Sequence, residues 1–348
     1  MDNRLEALMT GRHIVGLDIG GANLKAAHVD GLAVSQSFPL WKKPAELPQA
    51  LTHLLANFPQ VDHLAVSMTG ELADCFETKQ AGVDVILSAV EQVASGRPVS
   101  VWQTAGEFVE PELAREFPRL VAAANWHALA SWLGRMNPTG NALLFDIGST
   151  TTDIIPIEQG CPVSQGLTDV ERLASSELVY LGVRRSPLMM LAHAVPLRNQ
   201  LVPLAAEYFA STLDLYLLSG DIPEAADNLE TANGKPTNLP SGYGSCCRSL
   251  CCDRTELTLE EINSIVIFLR QQHLDSLKQA VTQVLSRFDS PLNTVYLSGE
   301  GRFLAERLIE TLPEFSQSAH IELDRLFTPE ISAAACAYAV AQLAQSLA

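Results

Sequence analysis

Positive charge is scarce in this chain: lysine and arginine number 23 against 40 aspartates and glutamates, a net charge of −17 over 348 residues. So acidic a surface repels phosphodiester backbones and anionic headgroups, so neither nucleic acid nor a membrane is an expected partner. It leaves room for a small phosphorylated ligand, whose binding depends on local loops and a metal. Cysteine is sparse as well. Seven residues, an odd number in a chain of this size, do not suggest a disulfide framework, and a reducing cytoplasm is the expected compartment. No basic-then-apolar leader opens the sequence, so no export is expected. The most apolar stretch, 331–347, is alanine-rich and interrupted by Gln342 and Gln345. It reads as a packed terminal helix rather than a membrane span. The eight histidines show no His-x-x-x-His spacing, which argues against a zinc hydrolase.

What is present is the composition of an ordinary globular protein, 47% hydrophobic and 18% charged, with length enough for two domains. The organising stretch is Leu143 to Ile157: an apolar run ending in Asp146-Ile147-Gly148, then Ser149-Thr150-Thr151-Thr152, then Asp153 and a second apolar run. It reads as a β-hairpin with a hydroxyl-rich tip. Gly148 permits a tight turn and close approach of a ligand. Backbone N–H groups and hydroxyls of Ser149, Thr150 and Thr151 suit a phosphate. Asp146 and Asp153 suit a cation such as Mg²⁺. The same plan recurs in the other half: Ile14-Val15-Gly16-Leu17-Asp18-Ile19-Gly20-Gly21-Ala22-Asn23-Leu24-Lys25. Two copies are far less accidental than one. On opposite sides of a cleft they would grip a di- or triphosphate, with Gly20, Gly21, Asn23 and Lys25 on one side and Gly148 to Thr151 on the other. Asp18 and Asp146 are the expected metal-holding pair; the alternative is that both only form turns. Lys25 is either a phosphate contact or a solvated edge residue.

Around these hairpins the pattern predicts strands at 13–18, 24–29, 32–38, 61–66 and 98–102, and helices over 46–57, 110–133, 204–218 and 257–288. Residues 1–10 read as a loose or helical lead-in, and 221–245 as a loop. Asn137-Pro138-Thr139-Gly140 is a strong turn and the expected domain boundary. This gives a first domain, 1–140, a second, 141–330, and a terminal segment, 331–348, packing back on the first. Ser298-Gly299-Glu300-Gly301 ends a strand and opens a helix, so Gly299, Glu300 and Gly301 are a third candidate anion contact. The turn Ser67-Met68-Thr69-Gly70-Glu71 lies at a strand end, where α/β sheets bind ligands. Glu71, Asp74 and Glu77 are candidate proton-transfer groups, against the plain reading of an acidic helix start. Cys246, Cys247, Cys251 and Cys252 lack further ligands nearby and are expected to pack rather than bind a metal. Arg184 and Arg185 are a carboxylate or phosphate clamp, or surface charge.

The paired Asp-x-Gly hairpins resemble the actin-like ATPase superfamily. Four stretches narrow this: 15–27, Met68-Thr69-Gly70-Glu71-Leu72-Ala73-Asp74-Cys75-Phe76-Glu77 on to Val83, 145–157, and Glu177-Leu178-Val179-Tyr180-Leu181-Gly182-Val183-Arg184-Arg185-Ser186-Pro187-Leu188. Together, and over nearly the whole chain, they resemble the hydantoinase/oxoprolinase-like proteins of the tetrahydromethanopterin-linked one-carbon pathway. Their archaeal relatives include a methanofuran-biosynthesis synthase. The resemblance implies an α/β fold of two actin-like (ribonuclease H-like) domains with a ligand cleft between them. It implies an ether-forming transfer in which a tyramine phenol attacks the methylene of an aminomethylfuran diphosphate, with Mg²⁺ as cofactor and ATP as a candidate second one. Competing readings are an ATP-dependent small-molecule kinase, a hydantoin- or oxoproline-type hydrolase, and a non-enzymatic nucleotide sensor. The 246–252 cysteines depart from the ordinary helix expected in relatives.

Overall fold

The computed structural model describes residues 13–346; the expected lead-in at 1–10 lies outside the described residues. The chain forms two compact units. The first comprises 1–142, 155–172 and 321–348, and the second 143–154 and 173–320.

The first unit is built on a six-stranded sheet ordered β3-β2-β1-β4-β5-β6, with β1 Ile14–Ile19, β2 Asn23–His28, β3 Ala33–Ser37, β4 His63–Met68, β5 Val99–Trp102 and β6 Phe108–Val109. β1, β2 and β3 form an antiparallel meander, while β4 and β5 continue parallel to β1. Every residue of β1 is buried, as a central strand covered on both faces requires. On one face lie the helices Leu47–Leu55 and Lys79–Ala94, whose apolar stripes join β1, β2 and β4 in one core. The terminal helix Ala335–Gln345 lies on β1. Gly16 makes that approach possible: a Cβ there would stand 1.9 Å from the Ala337 carbonyl oxygen.

A second sheet repeats the plan. It runs β10-β8-β7-β13-β14, from β7 Asn141–Ile147, β8 Thr152–Glu158, β10 Leu178–Val179, β13 Thr294–Ser298 and β14 Ala319–Glu322, with β9 Cys161–Pro162 beside β8; β9 and β8 from residue 155 on are counted with the first unit. β7 and β8 take the places that β1 and β2 hold in the first sheet, and β13 that of β4. A separate two-stranded ribbon joins β11 Ala194–Leu197 to β12 Gln200–Pro203. The core packs β7 and β13 against the 27-residue helix Leu259–Leu285. That helix opens with a capping box, the Thr258 hydroxyl accepting from Glu261 N–H while the Glu261 carboxylate accepts from Thr258 N–H. The protein is thus an α/β structure of the actin-like kind. Among the described residues, no helix is long and apolar enough to cross a membrane.

Three expectations need correction. Residues 155–172 and 321–330 belong with the first unit, not the second. The returning segment is held there because Gly134 in the helix Asn125–Met136 abuts Gly160, where a Cβ would be 2.2 Å from the Gly160 oxygen. The 321–330 stretch is held by Phe327, which packs on Trp132 and Tyr338. The helix expected over 204–218 spans only Thr212–Leu218. Leu204 and Ala205 instead donate to the carbonyls of His193 and Ser249, and the Ser211–Asp214 capping box sets the true start. The loop expected over 221–245 contains the start of a helix, Leu239–Arg248, capped by the Asn238 side chain accepting from Ser241 N–H at 2.9 Å.

Candidate active site

The two Asp-Ile-Gly loops close in the same way. Gly20 N–H donates to Asn23 O at 3.0 Å, and Gly148 N–H donates to Thr151 O at 2.9 Å. In each loop several carbonyls are committed to neighbouring backbone. Leu40 and Phe38 donate to the oxygens of Gly21 and Ala22; Val183 donates to Gly148 O, and Arg184 and Arg185 both donate to Ser149 O. With these carbonyls engaged, amide N–H groups in both loops, and the hydroxyls of Ser149, Thr150 and Thr151 in the second, are what remains to offer an anion.

In the first unit, Asp18 sits near the carboxyl end of β1, opposite Lys25 on β2 and Ser67 on β4. It is 5% exposed. Burial pushes its carboxyl above the usual range, opposed by the Lys25 charge and by hydrogen bonds from Ser67 and Asn125. A carboxylate so desolvated is stabilised by added positive charge, which fits a divalent cation. Gly20, Gly21 and Lys25 are half-buried, and Asn23 is exposed. The 68–71 turn packs directly on this loop. Thr69 and Gly70 both donate to Ile19 O at 2.9 Å, and a Cβ on Gly70 would lie 3.1 Å from the Gly20 carbonyl carbon. That turn delivers Glu71 into the interior, where it is 1% exposed and its Oε2 has no hydrogen-bond partner. Burial pushes its carboxyl up to about 7, with Lys79 lowering it and Asp169 raising it further. Gly82, in the first turns of the helix Lys79–Ala94, lets that helix close on the Glu71 backbone, since a Cβ would be 2.2 Å from the Glu71 oxygen. Asp74 and Glu77, the other two candidates, are exposed.

In the second unit, Asp146 and Asp153 are half-buried on β7 and β8, and Ser149, Thr150 and Thr151 form the half-buried tip. The Ser298-to-Gly301 turn lies against this loop. Gly299, at φ +86°, is so close that a Cβ would meet the Ile147 oxygen at 2.3 Å and Asp146 Oδ1 at 2.8 Å. Gly301 N–H donates to Ile147 O at 2.9 Å. The left-handed φ and the contact both demand glycine. Glu300 is exposed and pairs with Arg184, and Arg185 lies 3.9 Å from Glu230, so both arginines are engaged with carboxylates. The sequence-identified groups thus assemble within each unit: Asp18, the 20–25 loop and Glu71 in one, Asp146, the 148–151 tip and the 299–301 turn in the other.

Several residues were missed in the sequence. Gly182 is pressed onto the second loop, where a Cβ would be 2.5 Å from Thr150 N and 2.6 Å from Gly148 O. Asn125 binds Asp18. Next to it, Trp126 is buried with its indole N–H unpartnered, and the Arg172 guanidinium stacks 4.0 Å from the ring centroid. Arg172 is 1% exposed and meets Asp169 at 3.4 Å. A buried arginine is costly unless paired, so the stack and the carboxylate account for its place. The only sequence signal was the polar-aromatic run 125–127 at the head of a helix with no capping side chain. Cys246 and Cys247 are buried in the second core on the helix 239–248, and all seven cysteines are free thiols.

The hydantoinase/oxoprolinase family matches residues 62–346, and the chain belongs to that family. Within it, the chain is 35% identical over 335 residues to the (4-{4-[2-(γ-L-glutamylamino)ethyl]phenoxymethyl}furan-2-yl)methanamine synthase of Methanocaldococcus jannaschii, covering 95% of this chain and 97% of that protein. The synthase of the same name from Methanococcus vannielii is 29% identical over 203 residues, 58% of this chain and 90% of its own. Among solved structures, nucleotide-free acetone carboxylase, from work on ATP-dependent acetone carboxylation, aligns with a TM-score of 0.53 at 13% identity, over 94% of this chain and 70% of that one. That likeness is one of fold.

Proposed function

We propose that this protein is a transferase that joins the phenol oxygen of tyramine or γ-glutamyltyramine to the methylene of an aminomethylfuran diphosphate, releasing diphosphate. The observation that carries this reading is the 35% identity sustained over 95% of the chain to a synthase named for a phenoxymethylfuran product. The loops supply the chemistry such a step needs. Amide N–H groups in the Gly20 turn, with Lys25 adding a positive charge beside Asp18, suit phosphate oxygens, as do the amides and hydroxyls of the Gly148 turn in its own unit. Mg²⁺ held by Asp18 or by Asp146 and Asp153 would neutralise charge on the departing diphosphate.

Of the three candidate carboxylates, Glu71 is the proposed general base. A phenol with an ordinary pKa of about 10 needs an acceptor for its proton as its oxygen attacks carbon. Glu71 has an unpartnered oxygen in a dry setting and a carboxyl poised near 7, while Asp74 and Glu77 are solvated. The new C–O bond forms at the methylene, the bond from that carbon to the diphosphate oxygen breaks, and the phenol proton passes to Glu71.

The test is mass spectrometry of the purified protein with the furan diphosphate and either phenol, with and without ATP. The aryl ether plus diphosphate, formed without ATP, is the expected result. ADP with a phosphorylated acceptor, and no ether, would replace the transferase with a kinase.

A further inference from the structure

At the other end of β1 from Asp18, three side chains with metal-binding atoms converge. His13 precedes β1, His28 ends β2, and Asp30 lies in the turn that follows. One ligand atom from each lies within 4.8 Å of the other two. We infer that His13, His28 and Asp30 form a binding site for a divalent transition metal of the zinc class.

The backbone holds all three in place. His13 is pinned through both of its main-chain groups, with Asp62 N–H donating to its carbonyl at 2.7 Å and Asp62 Oδ2 accepting its N–H at 3.1 Å. The 28–32 turn is closed twice, by His28 N–H to Leu32 O at 2.8 Å and Gly31 N–H to His28 O at 2.9 Å, with Gly31 at φ +99°. Ligands fixed in this way cost little ordering when an ion binds.

The electrostatics around His28 point the same way. Its Nδ1 accepts the Asp30 N–H at 3.2 Å, yet Asp30 Oδ2 stands 3.3 Å from the same nitrogen. A lone-pair nitrogen and a carboxylate oxygen facing each other repel unless a proton or a cation lies between them. A metal resolves the conflict by taking the Nδ1 lone pair in place of the Asp30 N–H, since zinc at roughly 2.0–2.1 Å from nitrogen and oxygen places tetrahedral ligands about 3.3 Å apart. The His13 and His28 rings lie 5.4 Å apart, stacked at 29°. Two imidazoles and one carboxylate, with Asp62 behind, make a set that prefers zinc, nickel or copper to the hard, oxygen-seeking Mg²⁺. The site is therefore separate in place and in chemistry from the phosphate loop, and its test does not depend on the proposed reaction.

The untagged full-length protein is stripped with chelator, titrated with Co²⁺ by absorbance, and then with Zn²⁺ against a chromophoric chelator. The expected result is one zinc per chain at this site and a Co²⁺ spectrum with ligand-field bands but no thiolate charge transfer. Binding should weaken at least about tenfold in both His13→Ala and Asp30→Asn. These positions are half-buried and exposed, so both variants should keep the parent circular dichroism, unlike buried His28→Ala. Absence of zinc binding, binding unchanged in both variants, or a thiolate band assigning the metal to the cysteines would each overturn the inference.

Discussion

Glu71 ties its chemistry to pH. Its carboxyl titrates near 7 in the folded protein against 4.5 when solvated. As the proposed general base it would act ionised, so kcat should rise as pH passes through about 7 and level off above. Glu71→Gln should remove that rise and lower kcat by roughly 10²–10⁴-fold. Stability runs in the opposite direction. The folded state binds the proton more tightly than the unfolded chain, so stability falls as pH rises from 4.5 towards 7 and stays lower beyond. Gln carries no charge to desolvate, so at pH 8 the variant should be more stable than the parent, by up to roughly 3 kcal/mol. Urea denaturation at pH 5 and pH 8 measures the difference; an equal effect at both would refute the raised pKa. Asp18 and Asp146 allow a second test. Asn keeps shape and hydrogen bonding but not charge. Each Asp→Asn variant should therefore lose about a hundredfold or more in kcat and shift its Mg²⁺ dependence, because an electrostatic stabiliser is gone. Asn suits turns as well as Asp does, so unchanged kinetics would reduce these residues to turn formers.

At the level of elements, the second loop is only as well placed as the segment behind it. The 181–186 stretch braces the loop: Thr152 Oγ1 donates to Leu181 O at 2.8 Å, and Val183 and Arg184 hold the loop carbonyls. Gly182 sits at the contact with no room for a methyl group. Gly182→Ala should shift the Ser149–Thr150 backbone and lower kcat/KM on the order of a hundredfold, the usual effect of misplacing a positioning group by about an ångström. The overall fold should survive, since the core strands β7 and β13 do not depend on this residue. Circular dichroism alongside kinetics checks both halves of the expectation, and parent-like kcat/KM would show the loop to be independent of its brace.

At the level of the whole molecule, charge decides partners. With a net charge of −17, the protein should leave duplex DNA unshifted in a gel-mobility assay at low ionic strength, where electrostatic attraction would be strongest. A shift that salt abolishes would reveal a basic surface that the composition conceals. On the proposed reading, a few groups acting at short range, Lys25 and the loop amides, would reconcile this acidity with an anionic small substrate.

Local signals made much of this legible in the sequence. The two Asp-Ile-Gly hairpins, the Gly299–Gly301 turn and the long helix 259–285 are written in contiguous residues, through glycine at the turns and apolar spacing at 3.6 or 2. So are the α/β class and the doubling of the plan. The site was only half legible, because Glu71, Asp74 and Glu77 look alike in a row of acids. Only packing of the 68–71 turn on the Gly20 loop buries one and leaves the others in water. Desolvation belongs to a location, not to a residue type, so no sequence pattern could pick Glu71 out. Contacts between distant segments likewise decided that 155–172 returns to the first unit, that Gly182 braces Thr150 and that Arg172 lies on Trp126. The His13–His28–Asp30 cluster is invisible in histidine spacing for the same reason. Antiparallel pairing of β1 with β2, not proximity along the chain, brings His13 beside His28.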